Sequence, residues 1–567
     1  MDISRLLGLG ISKTCLGLLA ACGLLLFGCS DDEEQQPSGG GDTSFELTSE
    51  DVDCSGDGTY LVPFAGKTYT VTVTATDNVE WNAVATGNLV SVTPEGTQTG
   101  NGTIQIVGAA NPEKEEGRTG TVVISNLTGG TKLTLTFRQM EKELYIPEGS
   151  EGQTREEFDN PASTYNVHYM VEGENVALFW DKNLGLDPSF DQERAVEEAD
   201  KTFVFLQNEV GFASKSDSYA NKYKFLIFIR AEDQSTAYGG GDHNVGKIWL
   251  GPNHLETCEQ NDRYGIYYHE MCHCFQFLCA WDGAGGLSGP IGEMTSQFAM
   301  IRKWPNWMEL EPSHINAFMR LTHLAFLHEA NQYHSPYVLE YWENVRGPKF
   351  VSRLWQESAT ADNKDIVAAY KRITGVDQET FNDELFDAYR RFITWDIPSI
   401  KEASAPYANK HSCKLTKTSA NTYRITSDFC PQNYGYNGIK LTVPAPGTKI
   451  TLNFIGMPTT TGYWVGNGDE AGWRFGFVAM KTDGERVYSD MGKATSSASM
   501  EFDVPEDTQY LWLVVMGAPT KHHKHEVGSY LNTEYPSDSS QEGRIYSQWP
   551  YQVTLLGTEV APSFIVG

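Results

Sequence analysis

Two histidines four residues apart, with a glutamate beside the first, form the part of this sequence best suited to chemistry: His269, Glu270, Met271, Cys272 and His273. On a helix, residues i and i+4 lie one above the other, so both imidazoles project from one face about a turn apart. That arrangement suits two ligands of a tetrahedral zinc ion. Glu270 sits about 100° round the helix, beside the metal rather than on it. From there it can take a proton from a water polarised by the metal. The flanks, Ile266 to Tyr268 and Cys274 to Phe277, carry no charge, as a helix buried beneath a cleft requires. A histidine merely satisfied in a core needs neither a second histidine nor an acid between them.

Two histidines leave the site short of a ligand. Gln276 and Cys279 stand where the metzincin pattern has Gly and His, which excludes that class. A glycine-rich turn, Gly283 to Gly289, leads into a predicted second helix beginning near Pro290. Glu293 on that helix falls 20 residues beyond His273. Asp282 and the nearby cysteines are the other groups that can complete the site.

The motif, the spacing and a glutamate on the following helix resemble the gluzincin metallopeptidases over about residues 160 to 400, most specifically at the two helices. The resemblance implies a zincin-like α+β domain with Zn2+ held by His269, His273 and Glu293, and with Glu270 as catalytic base. It implies hydrolysis of peptide bonds in extracellular proteins or glycoproteins. It also implies a downstream Tyr or His that stabilises the oxyanion; the segment Tyr333 to Tyr337 and the helix after it offer His334, Tyr337 and Tyr341, of which His334 and Tyr337 are the choice. A strand ahead of the motif helix should pair with extended substrate through a free edge, and Val245 to Leu250 is the natural choice. Ala237 to Gly241 reads as a turn, either a hairpin or a mobile lip.

The other elements must present and deliver this site. At 567 residues the chain exceeds one core. The predicted fold is multidomain: an N-terminal β-sandwich, the central zincin-like domain and a C-terminal β-sandwich. Basic residues near Arg5 and Lys13 precede an apolar run from Cys15 to Phe27, too short for a comfortable span, so residues 1–28 read as a signal peptide. Leu26 to Cys29 resembles a bacterial lipobox, which makes Cys29 the lipidated residue. Cleavage at Cys22 would instead leave Leu24 to Phe27 exposed on the mature end. The acidic tether at 29–43 resembles an export tag of surface lipoproteins, so the implied location is the outer-membrane surface.

Alternating strands over 44–140 predict a small antiparallel sandwich. Trp81, Val92, Pro94, Asn111, Arg118, Gly120 and the closing Phe137 to Gln139 resemble a BACON domain, here a spacer with glycan as a further partner. Residues 406–567 return to short strands, with Trp473, Phe475, Phe477, Trp549 and Tyr551 able to stack on sugars or to fill a core. A net charge of -31 with no basic stripe excludes nucleic acid as a partner. Cys413 and Cys430 are a candidate disulfide pair. The rival expectation is a non-catalytic surface protein that binds glycan or peptide on a zincin-like scaffold.

Overall fold

The computed structural model describes residues 44–63, 66–111, 117–232, 236–524 and 547–566. The signal region, Cys29 and the tether at 29–43 lie outside the described residues. The protein is multidomain and mixed α+β, with five β-sheets and about twelve α-helices among the described residues. None of the described helices is long and apolar enough to cross a membrane.

In the N-terminal part, a four-stranded and a five-stranded sheet share one buried cluster. Period-two patterning explains it. In Lys67–Ala75, Tyr69, Val71 and Val73 turn inward while the threonines between them face outward, and Trp81, Ile104, Ile106, Val122, Ile124 and Phe137 fill the same cluster. The C-terminal part also has two sheets, of six and five strands. Its core continues into the helices: one buried cluster runs from Val176 to Phe564, with Tyr389 stacked on Tyr436 at 4.2 Å. Trp473, Phe475, Phe477, Trp549 and Tyr551 all belong to that core, so packing rather than ligand contact accounts for them. Cys413 and Cys430 are buried and unbonded.

The central sheet has five strands in the order Met170–Glu172, Val176–Trp180, Phe225–Ile229, Val245–Leu250 and Ala237–Asp242. The middle pairings are parallel and both outer ones antiparallel. Val176–Trp180 and Phe225–Ile229 are wholly buried, as strands covered on both faces must be.

Two sequence expectations are corrected here. Val245–Leu250 is interior, and the edge strand is Ala237–Asp242. The reversal falls at His243 and Asn244, whose φ values of 46° and 71° make a tight two-residue hairpin; the glycines before it are strand. Gly239 and Gly241 are glycines because a helix lies on them. A Cβ at Gly239 would collide with the Glu270 carbonyl oxygen, and one at Gly241 with the Phe277 ring. One at Gly246 would lie 2.9 Å from the Cβ of Cys274. Bare backbone on the strands and a small thiol on the helix let the two close up. Gly239→Ala should therefore lower stability by about 1–3 kcal/mol through overpacking, read by denaturant unfolding.

Candidate metal centre

The helix laid across these strands is Gly265–Trp281, and it carries the histidines. It contains both uncharged flanks of the motif and runs four residues past Phe277. Phe275 packs against Phe203, Phe212 and Phe225, with ring centroids 5.0–5.5 Å apart, which fixes the helix on its core side. After the glycine-rich turn, the second helix runs Ile291–Lys303. Glu293 lies in its first turn, where the helix dipole favours a carboxylate.

Three side chains meet there. His269 Nε2 lies 3.0 Å and His273 Nε2 3.2 Å from Glu293 Oε2. Tetrahedral zinc with bonds of about 2.0–2.2 Å places its ligand atoms about 3.3 Å apart, so the donors fit one such ion in kind and spacing. Among the described residues, no other group of three metal-binding side chains converges in this way.

The rival ligands are occupied elsewhere. Asp282 accepts hydrogen bonds from Ser218 Oγ at 2.5 Å and the Tyr219 amide at 2.9 Å. Burial pushes the Cys272 thiol up to about 12, and Cys274 and Cys279 also sit well above the ordinary value. None of the three joins the cluster in which His269, His273 and Glu293 converge.

Charges within the triad are mutually supporting. Burial works against ionised Glu293, but hydrogen bonds and charge from His269 and His273 outweigh it and hold the carboxyl well below the usual range. Burial likewise opposes charge on His273, and the contact with Glu293 raises it above its ordinary value.

Glu270 is 6% exposed, one position from His269 and off the ligand face. Gln276 plays a part that sequence reading missed. Its Oε1 lies 3.1 Å from His273 Nδ1, while its Nε2 donates to the Gly292 carbonyl at 3.0 Å. The amide thus directs the Nδ1 proton, leaves Nε2 for a metal, and ties the histidine helix to the glutamate helix.

The predicted oxyanion residues fall elsewhere. Tyr337 is 0% exposed, packed against Phe318, Phe392 and Trp395, so it is core and not cleft. His334 turns to His314, Nδ1 to Nδ1 at 3.0 Å, and His314 Nε2 lies 3.5 Å from Glu311. Burial, with the charge of His314, pulls His334 down to about 4. Their neighbour Tyr333 reaches the site instead: its ring stacks on His269 at 6.2 Å and is 37% exposed. Its place in the Tyr333 to Tyr337 segment was the only sequence signal.

A family model described as a family of unknown function, DUF6055, matches residues 136–562. No curated protein matches. Among solved structures, a Caenorhabditis elegans protein described as an MSP family member, WR4, is 14% identical over 14% of this chain and 91% of its own, with a TM-score of 0.11. A Bacteroides ovatus GH5 xyloglucanase is 9% identical over 46% of this chain and 62% of its own, TM-score 0.15. The secreted Vibrio cholerae serine protease VesC is 5% identical over 93% and 52%, TM-score 0.14. At such scores none of them transfers fold or chemistry to this chain.

Proposed function

The chain belongs to the DUF6055 family, whose function is unknown; kinship therefore supplies no activity, and we propose from the site's own chemistry a zinc-dependent peptidase of the gluzincin type. One observation carries the reading: His269, His273 and Glu293 converge at metal-ligand spacing, with Glu270 next to the first histidine on the same helix.

Zinc held by His269, His273 and Glu293 would supply Lewis acidity toward a carbonyl oxygen and would lower the pKa of water to about 7. The chain's own residues do the rest. Glu270 accepts the proton of the attacking water and returns it to the leaving amine, which closes the proton balance of hydrolysis. Ala237–Asp242, beside the motif helix and at the end of the sheet among the described residues, would pair with an extended substrate along its outer edge. In this reading Tyr333, whose ring stacks on His269, supplies the hydroxyl that donates to the oxyanion. Tyr333→Phe should lower kcat by about tenfold to a hundredfold while zinc content and KM stay near wild type, read by steady-state kinetics with metal analysis. The reading is tested by hydrolysis of a denatured protein substrate, which a chelator should abolish and added zinc restore; cleavage indifferent to chelation would refute it.

In the same proposal, each pair of terminal sheets packs as a sandwich. Alternate residues of the two N-terminal sheets meeting in one cluster support this at that end, where the module is BACON-like and acts as a spacer. The protein is anchored through a lipid on Cys29 and displayed on the outer-membrane surface, and it acts on extracellular protein or glycoprotein. Cys29→Ala should move it from the membrane fraction to the soluble fraction. Protease shaving of intact cells should remove the wild type, and full protection would contradict outward display.

A further inference from the structure

The most exposed aromatic side chains among the described residues all belong to the central unit: Tyr238 at 61%, Trp281 at 47% and Tyr333. Tyr238 lies on the edge strand, and strand alternation sends it to the face away from the motif helix, since Gly239 and Gly241 meet that helix. Packing against the helix explains those two glycines but not Gly240 between them, which lacks positive φ. The three atoms nearest a Cβ at Gly240 would all belong to the Tyr238 side chain, with Cε1 at 3.4 Å and the hydroxyl at 3.5 Å. The ring therefore lies down along the strand over bare backbone, with an outward face open to solvent. Trp249, directly opposite in the register, buttresses it at 5.4 Å and is held by Glu151 through its indole N–H at 2.6 Å. Charged groups rim the platform: Arg230 stands over Trp249 at 5.9 Å, and Asp242 lies two positions beyond Gly240 on the same face.

We propose that Tyr238, flattened over Gly240 and rimmed by Arg230 and Asp242, is a subsite for a pyranose carried by the substrate. A substrate strand paired to this edge sends alternate side chains to the helix face and to the Tyr238 face, so a substituted residue meets the ring directly. A pyranose has an apolar face for the ring and hydroxyls at its edge for the guanidinium and carboxylate. A purely apolar side chain would strip water from those charges and replace none of it. The inference rests on the peptidase reading, because the edge strand must be the substrate's partner.

Binding to the full-length, zinc-loaded Glu270→Gln protein tests it by calorimetry. The probes are a threonine peptide bearing one N-acetylhexosamine, the same peptide bare, and the same peptide with Phe at that position. The glycopeptide should bind about tenfold tighter than the bare peptide. Tyr238→Ala should erase that gain, Tyr238→Phe should keep it, and Gly240→Val, which props the ring up, should reduce it. No gain from the sugar, tightest binding by the Phe peptide, or a gain that survives Tyr238→Ala would overturn the subsite. Turnover of the same peptides by the wild-type protein is scored separately, so failure of the peptidase reading appears there and not in the sugar-dependent difference.

Discussion

Glu270→Gln is expected to keep one zinc per chain and the native fold, and to lose turnover by on the order of a hundredfold or more, the scale of lost general-base catalysis. The substitution preserves shape and removes only the proton acceptor. Glu270 is not among the three side chains whose donors converge, so the metal should not sense the change. Its backbone carbonyl faces Gly239, and glutamine leaves that contact untouched. Zinc content and peptide hydrolysis measured on the same preparation decide it. A Glu270→Gln protein that lost its zinc would place this residue in the ligand set instead.

Glu293→Ala should have the opposite signature, with metal lost first and activity lost in consequence. Glu293 Oε2 is the atom at which both imidazoles meet, so its removal leaves two half-buried histidine ligands without the carboxylate they share. Zinc affinity should fall by two orders of magnitude or more, and the stabilisation that bound metal gives the folded state goes with it. Removing zinc from the wild type with chelator should lower its unfolding midpoint, while Glu293→Ala should show little further response. His269→Ala and His273→Ala should behave like Glu293→Ala. If Glu293→Ala retained both zinc and activity, the third ligand would have to be sought elsewhere.

Part of this site could be read from the chain because its signals are local. The two histidines and Glu270 sit within one helical turn and a half, and the second helix announces itself by a glycine-rich turn followed by Pro290. The alternation of Lys67–Ala75 and the unbroken apolar run of Phe225–Ile229 are local in the same sense. What escaped depends on contacts between distant segments. Ala237 to Gly241 carries turn composition, yet Gly239 and Gly241 answer to a helix some thirty residues later. That reversal moved the edge of the sheet from Val245–Leu250 to the neighbouring strand. Tyr333 was passed over beside His334 and Tyr337 because only tertiary packing decides which side chain of a short loop faces His269. Gln276 looked like a departure from another family's pattern, and its hydrogen bonds to His273 and Gly292 show why an amide suits the position. The core shared by helices and C-terminal strands has no local signature at all, since it consists of pairs such as Tyr389 and Tyr436.

The central claim is that His269, His273 and Glu293 hold a zinc ion that the protein uses, and elemental analysis of the purified full-length protein addresses it most directly. After dialysis against metal-free buffer, the account predicts one zinc per wild-type chain and less than a tenth of that in Glu293→Ala. A folded wild-type protein that binds no zinc, even after incubation with the ion, would contradict the account and favour a non-catalytic binding protein on the same scaffold.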